Sequence, residues 1–377
     1  MALKFLSPKE TKEKKEIVQQ KVAQETLQAN NLGEYVKVNL STGGRFDFPD
    51  IVYFKPYTMD DITSLNAARP EDLIETLIYV LNKNKLPSIT TDCEKLKLEE
   101  VLDITAKLYG EAYDPVVEYP IECESKECES NKPFFTKLNI NNLNILSIEN
   151  IEDNIKDAWR ELFEKDSQAF ADYVSVKYDN QSDITIDQAI NDLLIKEPFS
   201  IVMHDNKVLN IKFVTVGDLA FATKRAYSKY SFQLRKVNDK KYKQLSDEDA
   251  KIQKQIDFEN IQIEMFKELS AGANAASLVS IDGVPFNSFE EKISFYKAMP
   301  PKYAERFKAN SERLKFGINH EIEAVCPACG EKKISPLEHG NLLYDFIPSA
   351  NSRFNKTDMD VSAKGKQKQL NRIDIFF

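Results

Sequence analysis

The sequence has few cysteines and no long apolar run. Its 377 residues include five cysteines, which are too few, and odd in number, for a disulfide scaffold. No run approaches the roughly 20 consecutive apolar residues that a membrane-spanning helix needs. The opening residues, MALKFLSPKETKEKKEIVQQ, turn charged early and lack the apolar core of a secretory signal. We therefore expect no membrane span and a protein that folds and stays in a cytoplasm.

An excess of positive charge is also absent. Lysine and arginine together number 51 against 60 aspartates and glutamates, which gives a formal net charge of −9. Binding to the phosphates of a nucleic acid needs a concentrated positive surface. The lysine-rich stretches KVNDKKYK and AKGKQKQLNR are short, and the acidic stretch SDEDA soon follows the first of them. The composition thus makes nucleic acid an unlikely partner.

Familiar catalytic motifs are missing as well. The chain has three histidines and contains no Gly-rich phosphate loop, no G-x-S-x-G elbow and no H-E-x-x-H motif. Asp60 and Asp61 could suggest a magnesium site, but the helix dipole and cap already explain acids in a first helical turn. His204 is predicted at a hairpin tip, a poor place for a buried general base. We expect that the protein is not an enzyme.

What the sequence does contain is a pattern of short hairpins and amphipathic helices. Alternation of apolar and polar residues predicts β-hairpins over 35–57 and 199–215. Helices are predicted over 8–30, from Thr58, over 70–84 and 97–110, in most of 150–195, from Thr215, over roughly 236–270, and as two short elements before residue 320. Residues 116–140 and 320–338 read as strand, cysteine turn, strand. The predicted fold class is α+β, helix-rich with short hairpins and zinc-ribbon-like cysteine knuckles.

The order of these elements predicts five segments. They are a polar N-terminal helix (1–31), a hairpin-helix-knuckle domain (32–148), a helical linker (149–197), a second hairpin-helix-knuckle domain (198–350) and a flexible C-terminal tail (351–377). The two domains share one order, and placing Thr58 on Thr215 also aligns Asp61 with Asp218. This suggests an internal duplication. The alternative is that a hairpin followed by a capped helix is common in unrelated proteins.

The most specific motif is C-P-A-C-G, in which Cys326 and Cys329 have the spacing of a zinc knuckle. One knuckle supplies half of a tetrahedral site, and Cys123 and Cys128 are the natural second half. We predict a structural zinc site with these four cysteines as ligands. The alternatives are two turns without metal, or remnants of lost sites, because 197 residues separate Cys128 from Cys326.

The sequence also offers other ligands and another chemistry for the knuckle. His320 and His339 stand close enough in sequence to replace a cysteine ligand, although a histidine beside a turn is more often merely solvated. A thioredoxin-like pair would begin a helix, whereas Gly330 and Pro336 make a helix after Cys329 unfavourable. Cys93 stands alone and is interpreted as a packed or half-exposed thiol.

Residues 35 to about 150 carry a resemblance to a known family. The stretch VKVNLSTGGRFDFPDIVYFKPYTMDDITSLNAA resembles the opening of the baseplate hub subunit and hub assembly proteins of T-even-type contractile-tailed bacteriophages. The segment from Val101 to Leu138 resembles that family's middle part. The resemblance implies a non-enzymatic phage tail protein, with other tail or baseplate proteins as partners. It implies a location in the host cytoplasm during assembly, and then in the baseplate if the protein stays in the virion.

A second class of function is a zinc-ribbon nucleic-acid-binding or transcription-associated factor. The knuckles suit this class, whereas the acidic balance does not. The last 25 or so residues are polar and basic, and they end in the apolar tip RIDIFF, residues 372–377. We expect it to dock on a partner as an added strand or in a groove, or else to fold back on its own domain.

Overall fold

The computed structural model describes most of the chain between residues 34 and 347. The described residues are 34–121, 123, 128, 134–177, 184–191, 197–203, 205, 207–236, 247–313, 315–337, 343, 346 and 347. The predicted helix over 8–30, the tail 351–377, His204 and His339 lie outside them.

The fold is α+β, as the sequence predicts, with short antiparallel sheets between helices. The described helices are α1 (Met59–Ala67), α2 (Leu73–Asn84), α3 (Leu98–Ala112), α4 (Ile148–Lys165), α5 (Ser167–Lys177), α6 (Ile186–Asn191), α7 (Val216–Lys236), α8 (Asp247–Ala276), α9 (Phe289–Lys297) and α10 (Pro301–Arg313). The described strands are β1 (Val36–Asn39), β2 (Ile51–Phe54), β3 (Val116–Ile121), β4 (Phe134–Asn139), β5 (Ile145–Leu146), β6 (Phe199–Val202), β7 (Val208–Ile211), β8 (Leu278–Ile281), β9 (Val284–Pro285), β10 (Gly317–Ile318), β11 (Glu321–Val325) and β12 (Lys332–Pro336).

The first hairpin and its helix form as predicted. β1 pairs antiparallel with β2, and Gly43 and Gly44 in the connection adopt positive φ angles, which glycine tolerates best. At the start of α1 the Thr58 hydroxyl accepts a bond from the Asp61 amide (3.2 Å), while the Asp61 carboxylate accepts one from the Thr58 amide (2.9 Å). This reciprocal capping box confirms that Asp61 serves the helix terminus.

The second hairpin repeats this arrangement. β6 pairs with β7, and at the start of α7 Thr215 and Asp218 exchange the same two bonds, each 3.1 Å long. In both halves the capping threonine stands four positions after the last residue of a strand. The two halves therefore share local structure at this point, and their origin by duplication stays a prediction.

The sheet of the second half is larger than predicted. β8 and β9 extend the β6–β7 hairpin to four strands in the order β6-β7-β8-β9. Asp282 and Gly283, which join β8 to β9, both have positive φ angles, as a tight hairpin turn requires. The Asp-Gly pair between apolar residues is the sequence signal for this hairpin, which the predictions above do not include.

The predicted charged helix ends later along the chain than predicted. The described helix α8 runs over Asp247–Ala276, so it continues past the predicted end near residue 270. Its last turns are rich in small residues, and Ala271, Ala273, Ala275 and Ala276 are buried. Alanine is the best helix former, and its small side chain allows the helix to pack closely against its neighbours. Packing therefore extends the helix beyond its charged portion.

One hydrophobic core draws residues from both halves of the chain. It contains Val38 and Ile104 from the first half, together with Leu219, Ile322 and Phe346 from the second. A smaller core lies under the four-stranded sheet, and an aromatic cluster around Phe163 joins α4, α5 and α6. The division into five segments stays a prediction. The largest core takes residues from the second and the fourth of these segments.

Candidate metal centre

Two hairpins carry the four cysteines that the sequence singled out. β3 pairs with β4 over six residue pairs, and Cys123 and Cys128 lie in their connection. β11 pairs with β12 over five, and Cys326 and Cys329 lie in theirs. Both predicted arrangements of strand, cysteine turn and strand are thus confirmed. Because a strand and no helix follows Cys329, the structure also disfavours a thioredoxin-like pair.

The inner faces of the two hairpins pack on the same core. Along β3, Val117, Tyr119 and Ile121 are buried, and along β11, Ile322 and Ala324 are buried. All five belong to the large core cluster. The alternation is what a half-buried strand requires, because successive side chains point to opposite faces. The shared core therefore brings segments far apart in sequence to one side of the molecule.

A second connection holds the bases of the hairpins together. β5, soon after β4, pairs with β10, just before β11. Beside this pairing, the Asn144 amide donates to His320 Nδ1 (3.3 Å), and the Asn144 side chain donates to the Asn319 carbonyl (3.0 Å). These contacts fix the chain just after the first hairpin and just before the second.

The sulfur atoms of the four cysteines converge at the hairpin tips. The Cys123 sulfur lies 3.6 Å from that of Cys329, and the Cys128 sulfur lies 3.8 Å from that of Cys326. All four sulfurs lie within 4.8 Å of one another. In the part of the chain that the structure describes, this is the only group of three or more potential ligand side chains that could hold a metal ion. The donor set, four thiols and nothing else, is compatible with a metal site.

The backbone of the second knuckle favours a charged sulfur. The Gly330 amide donates to the Cys326 carbonyl (2.8 Å) and the Cys326 amide donates to the Glu331 carbonyl (2.9 Å), which closes the turn. Gly330 has a φ of 75°, where a side chain would be strained. The amides of Cys329 and Ala328 point at the Cys326 sulfur and lower the pKa of this thiol to about 7, against the effect of burial. A thiolate is the form that binds metal.

Cys93 and His320 do not join the site. Cys93 is fully buried, and burial raises its pKa to about 12. Its interpretation as a packed thiol is confirmed. His320 accepts its bond from Asn144 and is not a member of the four-sulfur group.

Sequence reasoning missed a set of buried carboxylates around the first hairpin. Asp103 accepts bonds from the Ser41 amide (2.7 Å) and the Ser41 hydroxyl (2.6 Å), and Glu100 accepts one from the Thr42 hydroxyl (2.5 Å). Burial raises the pKa of Asp103 and of Glu100 to about 7, although these bonds oppose the shift. The carboxylates tie the Ser-Thr-Gly-Gly turn to α3, which is a structural role.

Comparisons with known proteins gave no match. No family model matches the sequence, and neither the curated proteins nor the solved structures give a match. Within the described ranges, none of the helices has both the length and the apolar character needed to cross a membrane.

Proposed function

We propose that Cys123, Cys128, Cys326 and Cys329 bind one structural zinc ion. Zinc–sulfur bonds of about 2.3 Å in a tetrahedron put the sulfurs about 3.8 Å apart. The two sulfur–sulfur distances across the hairpins, 3.6 and 3.8 Å, agree with that spacing. Four thiolates leave no open position for a water or a substrate, which is typical of structural rather than catalytic zinc.

The zinc would act as a fastener between two hairpins. The ligands come from turns about 200 residues apart, so binding would close a very long loop of chain. Because such a site does not exist in the unfolded chain, the free energy of metal binding becomes free energy of folding. The core and the β5–β10 pairing bring the two turns together, and the metal would then fix their relative position.

At the level of the whole protein, we propose a non-enzymatic component or assembly factor of a contractile phage tail, at or during assembly of the baseplate hub. The resemblance of residues 35 to about 150 to baseplate hub proteins supports this proposal. A protein that works by holding other proteins needs rigid surfaces, and a pair of hairpins joined by a metal ion would supply one. Its partners would be other tail or baseplate proteins.

The experiment that tests this role is a pull-down of the tagged protein from infected cells, followed by mass spectrometry. We expect tail and baseplate proteins to be enriched over an untagged control. Enrichment of the transcription machinery or of nucleases instead would contradict the proposal and favour the nucleic-acid alternative. Gel retardation of duplex and single-stranded DNA complements it, and we expect no salt-sensitive shift.

A further inference from the structure

Two contacts between the sulfur atoms cross from one hairpin to the other. Cys123 on the first hairpin faces Cys329 on the second at 3.6 Å, and Cys128 faces Cys326 at 3.8 Å. The four thiols differ in exposure, since Cys329 is exposed, Cys123 and Cys128 are intermediate and Cys326 is buried. A soluble oxidant therefore meets the Cys329 sulfur first, and the Cys123 sulfur is already in position to react with the product.

We propose that the cluster is an oxidation site that closes into two disulfides between the hairpins, Cys123–Cys329 and Cys128–Cys326, under a peroxide oxidant. The inference rests on the proposed function only for the metal ion that is released when the thiolates are consumed. It assigns to these cysteines a modification with a fixed pairing, beyond their role as ligands.

Each disulfide forms by a balanced two-electron reaction. The Cys329 thiol gives up its proton to solvent and the thiolate attacks one oxygen of hydrogen peroxide; the O–O bond breaks and hydroxide leaves, which gives a sulfenic acid. The Cys123 thiolate then attacks the Cys329 sulfur, the S–O bond breaks and a second hydroxide leaves. Two thiolates are oxidised and one peroxide is reduced. The Cys128–Cys326 pair consumes a second peroxide in the same way.

The consequence of this pairing is that oxidation would preserve the fastening. A disulfide within one turn, such as one between Cys326 and Cys329, would leave the two hairpins unconnected once the metal is lost. A disulfide between the turns instead closes a loop of about 200 residues, and crosslinks of long loops restrict the unfolded chain most. The oxidised, metal-free protein would then melt well above the reduced, metal-free protein.

The test is oxidation of the purified full chain with hydrogen peroxide, followed by digestion under non-reducing conditions and mass spectrometry. We expect peptides that join Cys123 to Cys329 and Cys128 to Cys326, with Cys93 still free because it is fully buried. Peptides that join Cys123 to Cys128 and Cys326 to Cys329, or sulfinic acids without disulfides, would overturn the proposal.

A variant and a metal assay complete the design. In Cys329→Ser we expect the Cys128–Cys326 peptide alone, whereas Cys93→Ala, the matched control, should give both cross-links. If Cys329→Ser fails to fold, the wild-type peptide map still decides between the two pairings. Metal measured before oxidation separates the two proposals. If the purified protein contains no metal but gives cross-hairpin peptides, the disulfide pairing is supported and the zinc site is contradicted. If the purified protein contains zinc but its disulfides form within each turn, the zinc site is supported and the pairing is contradicted.

Discussion

The sulfur of Cys128 lies 3.8 Å from the sulfur of Cys326, although 198 positions separate the two residues in the chain. The contact joins the tips of two hairpins whose inner faces lie on one core. The fastener hypothesis, that one zinc ion joins the two cysteine turns, depends on this contact, because neither turn alone supplies enough ligands for a closed site.

Replacing one ligand should disable the whole site. Cys326→Ser leaves three thiols, so we expect the zinc content of the purified protein to fall severalfold and the melting temperature to fall by roughly 5–10 °C, because metal binding contributes folding free energy. The matched control is Cys93→Ala, which removes a buried thiol outside the site and should leave zinc content unchanged. Full zinc content in Cys326→Ser would contradict the assignment of this ligand.

Asp103 should make the protein less stable as pH rises. Burial raises its folded pKa to about 7, so the folded state holds the proton more tightly than the unfolded chain does. The stability this contributes is full below the unfolded pKa, about 4, and is lost as pH rises to about 7. Asp103→Asn removes this contribution, because the amide stays neutral while its oxygen can still accept the bonds from Ser41. Glu100, whose pKa burial raises in the same way, keeps its own contribution.

The measurement is urea unfolding of wild type and Asp103→Asn at pH 5 and pH 8. We expect the variant to gain on the order of 2 kcal/mol relative to wild type between the two conditions. Taking the difference between the proteins at each pH removes the pH dependence of metal binding, which both share. An equal stability difference at both pH values would show that Asp103 does not titrate in this range.

Replacing Glu268, on α8, should lower the unfolding free energy strongly. It is 2% exposed, and its carboxylate accepts bonds from Arg225 on α7 (2.5 Å), Lys229 on α7 (2.8 Å) and Lys297 on α9 (2.6 Å). Burial alone would raise its pKa, but these three cations lower it to about 2. Glu268→Ala leaves the cations without their shared carboxylate, and we expect a loss of about 3 kcal/mol in unfolding free energy.

Glu264 provides the control for this substitution on the same helix. Its carboxylate pairs with Lys267 at 2.7 Å, and its side chain is 54% exposed. Glu264→Ala should therefore cost less than about 1 kcal/mol. Comparable losses in the two variants, measured by chemical denaturation, would show that the buried network adds nothing beyond an ordinary surface pair.

The two threonine caps should contribute similar amounts to the unfolding free energy. Thr58 and Thr215 each exchange two bonds with an aspartate three residues later. Removing either hydroxyl leaves a helix amide without its acceptor, so Thr58→Ala and Thr215→Ala should each cost about 1 kcal/mol. Thr58→Ser and Thr215→Ser keep the hydroxyl and should be close to wild type in thermal unfolding. Alanine variants as stable as the serine variants would contradict the capping role.

The features that could be predicted from the sequence are those with local causes. Thr58 with Asp61, and Thr215 with Asp218, act over three residues, so the pattern of residues alone predicts both helix starts. The cysteine turns could be predicted for the same reason, because the spacing of Cys326 and Cys329 with Gly330 defines a tight turn. That Cys128 and Cys326 meet depends on a shared core and on β5–β10 pairing, which no local pattern encodes.

The long-range polar contacts could not be predicted from the sequence. Nothing near Asp103 indicates that Ser41, 62 positions away, donates two bonds to it. Likewise Glu268 reads as one acid in a charged helix, and its burial follows from the packing of α7 and α9 against α8. Such groups are found only once the elements are placed in three dimensions, because a charged residue in sequence is usually solvated.

The measurement that tests the fastener hypothesis most directly is elemental analysis of the wild-type protein, purified without added metal or chelator. We predict about one zinc per chain, lost together with the free thiol signal of four cysteines when an oxidant is added. A metal content near zero, in protein that is folded by circular dichroism and melts cooperatively, would contradict it.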